Sequence, residues 1–431
     1  MRNESRFFTV FPSVVKAGAE TKITITSIHE KFTLNDGRYA IKVVPKEKRD
    51  LPRAASLRLF KNDYSTVSVV AANNEITFSY FFGYEQEYRL ILMNEDSVKM
   101  YDFSVYALHD DLYGTMPFRG DLHMHTTRSD GLGSIAQLVS AYREIGRDFI
   151  CITDHHKHSP STDAIKMFEN VETGITVFPG EEVHNRLLGS IHIVNFGGQY
   201  SVNDILEEDY DNLFNKMKEE AKKTPELDEV DAVDFALRKW ICNEIRKSGG
   251  KAIFPHPYWT ICGEYHVETD FSLYMLKQGI YDIFEVFGGC TVNENQIQEA
   301  MWQELRAEGV DLPIVGSTDT HDYLKGKSLF GLYSTLVFAK DSQSIPDAIM
   351  NRYSVAVETI DGETPRVAGK FRLVKYAIYL LEQFYPVYET YTKDLGALMR
   401  RYAEAGDCKE AIAAVNAKAQ DYKKRFFGYI S

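Results

Sequence analysis

PFRGDLHMHTTRSDGLGSIAQLVSAYREIGRDFICITDHH, residues 117–156, is the stretch that decides the fold. Ser134 can cap a helix, with Gln137 three residues on as its capping-box partner. Ile135, Leu138, Val139, Tyr142 and Ile145 then recur at helical spacing. Gly146 stands where a helix ends in a left-handed residue. The apolar run Phe149-Ile150-Cys151-Ile152 follows as a buried strand. Strand and helix alternating in this way predict an α/β domain. Comparable apolar runs recur at Ile175–Phe178, Ile191–Val194, Ala252–Phe254, Ile283–Phe287 and Ile314-Val315.

On the N-terminal side the pattern is different. Phe7–Val10, Lys22–Thr26, Ile41–Val44 and Ile76–Tyr80 alternate with period two, separated by turn residues such as Asn35-Asp36-Gly37 and Asn73-Asn74. This predicts an antiparallel β-sandwich over residues 1–113. The α/β domain is expected over 114–362, with an acidic helical insert at about 201–250. Residues 201–235 hold 12 acids and 4 lysines. Val230, Val233, Leu237, Trp240 and Ile241 predict an amphipathic helix there. Residues 363–431 read as a helical C-terminal extension, basic and dense in aromatics (Tyr376, Tyr379, Phe384, Tyr385, Tyr388, Tyr391), packing on the acidic body or on a second copy in a homodimer.

The 431 residues allow several domains, at about 100–200 residues each. With 44% hydrophobic and 26% charged residues, collagen-like, coiled-coil and disordered classes are excluded. No apolar run reaches the length of about 18 residues that spans a bilayer. The start, Met1 to Arg6, lacks the apolar core of a signal peptide. A cytoplasmic protein without membrane association is therefore expected. The net charge of −13 repels a phosphate backbone, which disfavours long nucleic acid. Five scattered cysteines without a C-x-x-C pair give neither a zinc ribbon nor a redox motif.

The chemistry lies in short segments: Asp121–His125, Ser129-Asp130-Gly131, Thr153-Asp154-His155-His156, Gly180-Glu181-Glu182, His192, Pro255-His256-Pro257 and Ser317–His321. They contain seven of the chain's twelve histidines. His123 and His125, two apart, share a face on extended backbone. The other segments are expected after apolar strands, at the strand ends where α/β barrels gather their chemistry. Imidazoles mixed with carboxylates, without thiolate, suit zinc, manganese or iron. His109, His158, His184 and His266 stand alone and read as packing residues.

Four of these motifs, DLHMHTTRSDG at 121–131, ITDHH at 152–156, PHP at 255–257 and STDTH at 317–321, resemble those of the PHP (polymerase and histidinol phosphatase) family of metal-dependent phosphoesterases. The resemblance covers roughly residues 116–360 and implies a distorted seven-stranded β/α barrel with two or three divalent ions. It implies one ion on His123, His125, Glu182 and Asp319. A second shares Glu182 and adds His192 and His256, and a third takes Asp130, His155 and His321. The family's Gly-x-Glu spacing favours Glu182 over Glu181. His192 is preferred to His184 because it sits inside an apolar strand, where a buried polar group needs a partner.

The implied activity is hydrolysis of a phosphomonoester or small phosphodiester by metal-bound hydroxide, on a small phosphorylated substrate. The expected catalytic set is Glu182, Asp319, His321, Asp154 and Arg128. Asp154 is expected to orient a ligand imidazole. Arg128, Arg186, Lys157 and His158 are candidates for phosphate neutralisation, and His156 for a substrate or solvent contact. The alternatives are a nuclease-type phosphodiesterase on short nucleic acid and a metal-stabilised, non-catalytic interaction module.

Overall fold

The structure is a computed structural model that describes residues 7–47, 65–185, 191–324, 326 and 329–429. Arg186 and the stretch Met1–Arg6 lie outside the described residues. Two compact units are present. One comprises Met1–Thr115, Ile378–Tyr391 and Ala417–Ser431; the other comprises Met116–Ala377 and Thr392–Asn416.

Among the described residues the first unit contains eight strands: β1 (Phe8–Phe11), β2 (Val14–Lys16), β3 (Ala19–Ser27), β4 (Gly37–Pro45), β5 (Ser65–Ala72), β6 (Glu75–Phe82), β7 (Gln86–Met93) and β8 (Lys99–Leu108). They form a single sheet in the order β1-β3-β6-β5-β4-β7-β8-β2, not two separate sheets. All its pairs are antiparallel except β2 with β8. Asn73 and Asn74, both at positive φ, make the two-residue turn that closes β5 onto β6, the conformation that matches strand twist. The sheet curls until its two ends meet: the Phe8 ring on β1 lies 4.5 Å from Tyr101 and 5.2 Å from Phe103 on β8. One core results, with Ile23, Ile25, Ile76, Ile41, Leu90 and Val105 all fully buried. Within this unit Phe384 stacks on Tyr422 at 5.6 Å, and the Tyr379 hydroxyl donates to the Ser13 carbonyl at 2.9 Å. Tyr379, Phe384, Tyr385 and Tyr388 are buried within the chain.

The second unit alternates strand and helix. It runs through β9 (Met116–Asp121), α1 (Ile135–Glu144), β10 (Phe149–Cys151), α2 (Ser159–Phe168), β11 (Thr176–Phe178), β12 (Gly180–His184) and β13 (His192–Phe196). The insert holds α3 (Val202–Glu208), α4 (Tyr210–Ala221) and α5 (Glu229–Lys247). Then come β14 (Lys251–Phe254), the hairpin β15 (Thr260–Ile261) and β16 (Glu264–Tyr265), α6 (Thr269–Lys277), β17 (Ile283–Phe287), α7 (Val292–Ala307) and β18 (Ile314–Gly316). β19 (Tyr333–Ala339), α8 (Ile345–Met350), β20 (Ser354–Glu358) and β21 (Arg366–Ala368) follow, then α9 (Phe371–Gln383), α10 (Tyr385–Ala405) and α11 (Lys409–Phe427), whose residues are divided between the two units. The Ser134–Gln137 capping box opens α1 as its sequence requires, and Gly146 beyond its end has φ 82°. On α5, Val233, Leu237 and Ile241 are buried, but Val230 is exposed.

β11-β10-β9-β19-β20-β21 and β12-β13-β14-β17-β18 form two sheets. Two isolated parallel bridges join them: Met124 beyond β9 with Thr320 beyond β18, and His155 beyond β10 with Glu182 on β12. Through these bridges seven strands succeed one another around a ring: β9, β10, β12, β13, β14, β17 and β18. β13 runs antiparallel to both β12 and β14. Its first residue, His192, therefore lies at the same rim as the carboxyl ends of the parallel strands. The expectation that every ligand segment follows a strand is corrected here by the reversed direction of β13.

Candidate metal centre

The rim carries the chemistry. His123 and His125 extend β9, His155 follows β10, His256 follows β14, and Asp319 and His321 follow β18. Glu182 lies within β12. Consecutive strand residues face opposite sides, and the two neighbouring glutamates do so here. Glu181 points away and accepts from the Val202 amide (2.5 Å), Ser201 Oγ (2.9 Å) and Asn203 Nδ2 (2.8 Å), so that it holds the start of α3. Glu182 points into the rim. Gly180 is required because a Cβ there would stand 2.3 Å from the Cys151 sulfur.

Glu182 is fully buried among six imidazoles. Its Oε2 lies 2.9 Å from His155 Nδ1, 3.2 Å from His123 Nε2, and 3.4 Å from both His125 Nε2 and His184 Nε2. Its Oε1 lies 2.9 Å from His192 Nδ1 and 3.7 Å from His256 Nε2. Asp319 Oδ1 is 2.9 Å from His125 Nε2 and 3.2 Å from His123 Nε2, and its Oδ2 is 3.7 Å from His256 Nε2. Asp130 Oδ2 is 3.3 Å from both His155 Nε2 and His321 Nε2. All nine residues expected as ligands thus meet at one place.

The donor set fits divalent cations. Both Glu182 oxygens, both ring nitrogens of His256, Nε2 of His123 and His184, and Nδ1 of His125, His155 and His192 are buried without a well-directed hydrogen bond among the described residues. Buried polar atoms are normally satisfied, and cations among these side chains would satisfy most of them, one nitrogen of each ring. His156, His256 and Asp319 adopt positive φ (58°, 26° and 51°), strain of the kind that concentrates at functional sites.

The electrostatics agree. Burial alone would raise the carboxyl of Glu182, but His192, His123 and His184 outweigh it and hold the group well below the usual range. The Asp319 carboxyl is likewise held low against burial by His123, His125 and His256. Burial works against a charged His123, yet Asp319, Glu182 and Glu285 raise it well above an ordinary imidazole. His192 goes the other way: burial takes it down to about 4.

Several residues outside this set hold it in place. The buried Asp121 accepts from the amides of His123 (3.2 Å) and Thr318 (3.0 Å), and from the hydroxyls of Tyr142 and Thr318 (2.7 Å each). It ties the first ligand segment to the last. Burial, against those hydrogen bonds, lifts its carboxyl to about 6. Asp154 does not orient an imidazole, and that expectation is corrected. Its carboxylate accepts from Thr126 (2.9 Å from the amide, 2.8 Å from Oγ1) and from Ser129 (3.0 Å from the amide, 2.6 Å from Oγ), and so fixes the loop carrying Asp130.

Three phosphate candidates also point elsewhere. The Arg128 guanidinium is exposed and 3.7 Å from Asp163, Lys157 donates to the Arg128 carbonyl, and His158 Nε2 lies 2.8 Å from the Gly198 carbonyl. His156 is exposed, its ring 5.1 Å from that of His184.

Three residues escape the sequence reading. His184 is the direct partner of His192 across the β12–β13 ladder, so the two are neighbours and not alternatives. Glu285, fully buried on β17, places Oε2 3.2 Å from His123 Nδ1. A carboxylate behind a ligand imidazole fixes its orientation, and the visible signal was a lone acid inside an apolar run. His266 joins His192 and His256 in a third group of candidate ligand atoms, with no signal beyond its nearness to the Pro255-His256-Pro257 segment.

The solved structures to which this chain is similar include three of low identity. A two-domain Bacteroides vulgatus protein containing a predicted PHP-like metal-dependent phosphoesterase is 20% identical at a TM-score of 0.40, over 57% of this chain and 66% of that one. A Bifidobacterium adolescentis protein provisionally assigned as a metal-dependent phosphoesterase is 17% identical at 0.36, over 53% and 95%. A Chromobacterium violaceum amidohydrolase with bound sulfate and no metal is 16% identical at 0.34, over 48% and 89%. No curated protein matches the chain. Among the described residues no helix is long and apolar enough to cross a membrane. Residues 121–231, which carry the rim from Asp121 past Glu182 and His192, match the model of the PHP domain family.

Proposed function

We propose that this chain hydrolyses a phosphomonoester or a small phosphodiester at a centre of two or three divalent ions, zinc, manganese or iron. The observation that carries the reading is Glu182, a buried carboxylate with six imidazoles within 3.7 Å. One ion would be held by His123, His125, Glu182 and Asp319, whose ligand atoms lie within 4.8 Å of one another. A second would share Glu182 and take His192 and His256. A third would be held by Asp130, His155 and His321, again mutually within 4.8 Å. We read the seven-strand ring as the distorted barrel that presents these side chains at its rim.

Bound there, such ions supply a water of lowered pKa and positive charge against the phosphoryl oxygens. The protein's residues do the remainder. Glu182 and Asp319 keep their charge and gather the imidazoles. Glu285 turns His123 toward Glu182, while Asp121 and Asp154 hold the ligand loops. His321 Nδ1 lies 3.0 Å from the Asp319 carbonyl, to which it can only donate, so its Nε2 is left as the free nitrogen facing Asp130. With side chains 53% and 40% exposed, Asp130 and His321 form the open side by which a substrate enters. Burial pushes the thiols of Cys151, Cys242 and Cys290 far above their usual range, which disfavours these three as nucleophiles.

The net charge of −13 counts against a nucleic-acid strand as substrate. The complete ligand set counts against a non-catalytic module. Phosphate release from an aryl phosphate in the presence of Mn²⁺ or Zn²⁺ tests the reading. Wild type should turn over and His123→Ala should lose the activity; equal rates in the two would refute it.

A further inference from the structure

The three strand segments that bring Glu182, His192 and His256 together do not account for every imidazole at that corner. After Pro257 the chain turns outward as a tight hairpin and returns. Cys262 and Gly263 take φ 53° and 90° between Ile261 and Glu264. Two successive positive-φ residues make the short turn that fixes hairpin register. The His266 amide donates to the Trp259 carbonyl at 2.7 Å, the Trp259 amide to the His256 carbonyl at 3.0 Å, and the Val267 amide to the Pro257 carbonyl at 3.0 Å. The hairpin base is therefore closed at a defined register, and that register returns His266 to the residue it left.

The outcome is a third imidazole beside two. The His266 ring is 4.4 Å from that of His192 and 5.6 Å from that of His256. One ring nitrogen from each of the three lies within 4.8 Å of the others. Glu182 Oε1 lies 2.9 Å from His192 Nδ1 and 3.7 Å from His256 Nε2, outside that group of three. Three imidazoles facing one another repel if protonated, whereas one cation binds them all. Three histidines are a usual protein ligand set for a four-coordinate ion whose fourth position stays open.

We propose that His266 is a further ligand of the ion held by Glu182, His192 and His256, delivered by the 260–265 hairpin. The ion then fastens the hairpin to the rim. Trp259, exposed and with its ring 5.5 Å from that of His266 and 6.0 Å from that of His192, becomes a wall of the site whose position depends on metal loading. The proposal rests on the metal-centre reading above.

Titration of the metal-free full-length chain with Co²⁺, followed by calorimetry, by the visible absorption of the bound ion and by tryptophan fluorescence, tests it. His266→Ala should weaken one ion by at least the roughly 10–100-fold that even indirect partners of a metal are worth. The other sites should keep their affinity. The visible spectrum should change, and His266→Asp, which restores a donor but not the ring packing, should recover the binding. A fluorescence response to Co²⁺ that Trp259→Phe abolishes should shrink in His266→Ala. If His266→Ala keeps the number, affinity and spectrum of the wild-type ions while His256→Ala loses one, His266 merely packs on Trp259 and the proposal is overturned. If His256→Ala also changes nothing, the metal-centre reading itself fails and this inference with it.

Discussion

Glu182 shows how much one side chain can require of its surroundings. A buried carboxylate is costly unless it is paired and hydrogen-bonded, and here six imidazoles surround it while neither oxygen makes a well-directed hydrogen bond. The imidazoles need their own support, and Glu285 behind His123 is the clearest case, at 3.2 Å and fully buried. Glu285→Gln keeps the shape but removes the charge that raises the basicity of His123. Metal affinity should fall about 10–100-fold, measured by competition with a chelator, with the fold intact by circular dichroism. An unchanged affinity would show that Glu285 only fills space. The candidate ligand residues were legible in the sequence, because histidine and carboxylate recur beside apolar runs at spacings that strands and rim loops impose. Glu285, His184 and His266 were not: each stands alone in the sequence, and only the ladder pairing, the neighbouring strand or the hairpin register brings it to the cluster. Asp154 and Arg128 sit beside ligands in sequence, but their side chains turn to Thr126 and Ser129 and to Asp163, which sequence neighbourhood does not encode.

Elements whose signals are local came through intact. α1 begins at Ser134 and is followed by Gly146 because capping box and left-handed stop act within a few residues. The strand–helix alternation after Pro117 and the Asn73-Asn74 turn are local in the same sense. The ring order is not local: β13 reverses and two single bridges close the gap between sheets, decisions made between segments far apart in the chain. The single curled N-terminal sheet likewise depends on β1 and β8 meeting across the whole unit. α5 shows the limits of periodicity in another way. Its buried Arg238 Nε lies 2.5 Å from Asp234 one turn earlier and its Nη1 is 3.1 Å from the Tyr281 hydroxyl. Breaking such a pair leaves a charge buried alone, at a cost of about 3–5 kcal/mol. Asp234→Ala should lower unfolding stability in urea by that order, whereas replacing both partners with apolar residues should cost much less. A near-neutral Asp234→Ala would mean that the guanidinium finds another partner or reaches water.

For the molecule as a whole, the metal centre is also a source of stability. In the metal-free form the raised imidazoles of His123 and His155 act as the positive partners of Asp319, Glu182 and Asp130. A group whose folded pKa is raised stabilises the fold fully below its unfolded pKa, and that contribution disappears as pH climbs through the folded value. The metal-free chain should therefore lose Tm as pH rises above the ordinary imidazole value of 6.5, whereas on the acid side the lowered His192 and the lowered carboxyls of Glu182 and Asp319 act in the opposite sense. A bound ion replaces those protons as the positive charge and binds better once the imidazoles are neutral. The gap in Tm between metal-loaded and chelator-treated protein should therefore widen as pH rises, measured by scanning calorimetry. A gap that narrows would contradict this linkage. The most direct test of the account is anomalous diffraction from crystals of the metal-loaded protein, collected at the absorption edge of the bound metal. The account predicts two or three peaks around Glu182, each about 2.0–2.2 Å from the nitrogens and carboxylate oxygens of its ligand set, one of them between His123, His125 and Asp319. Density with no anomalous peak at Glu182, or with ions bound elsewhere and the imidazoles turned from it, would contradict it.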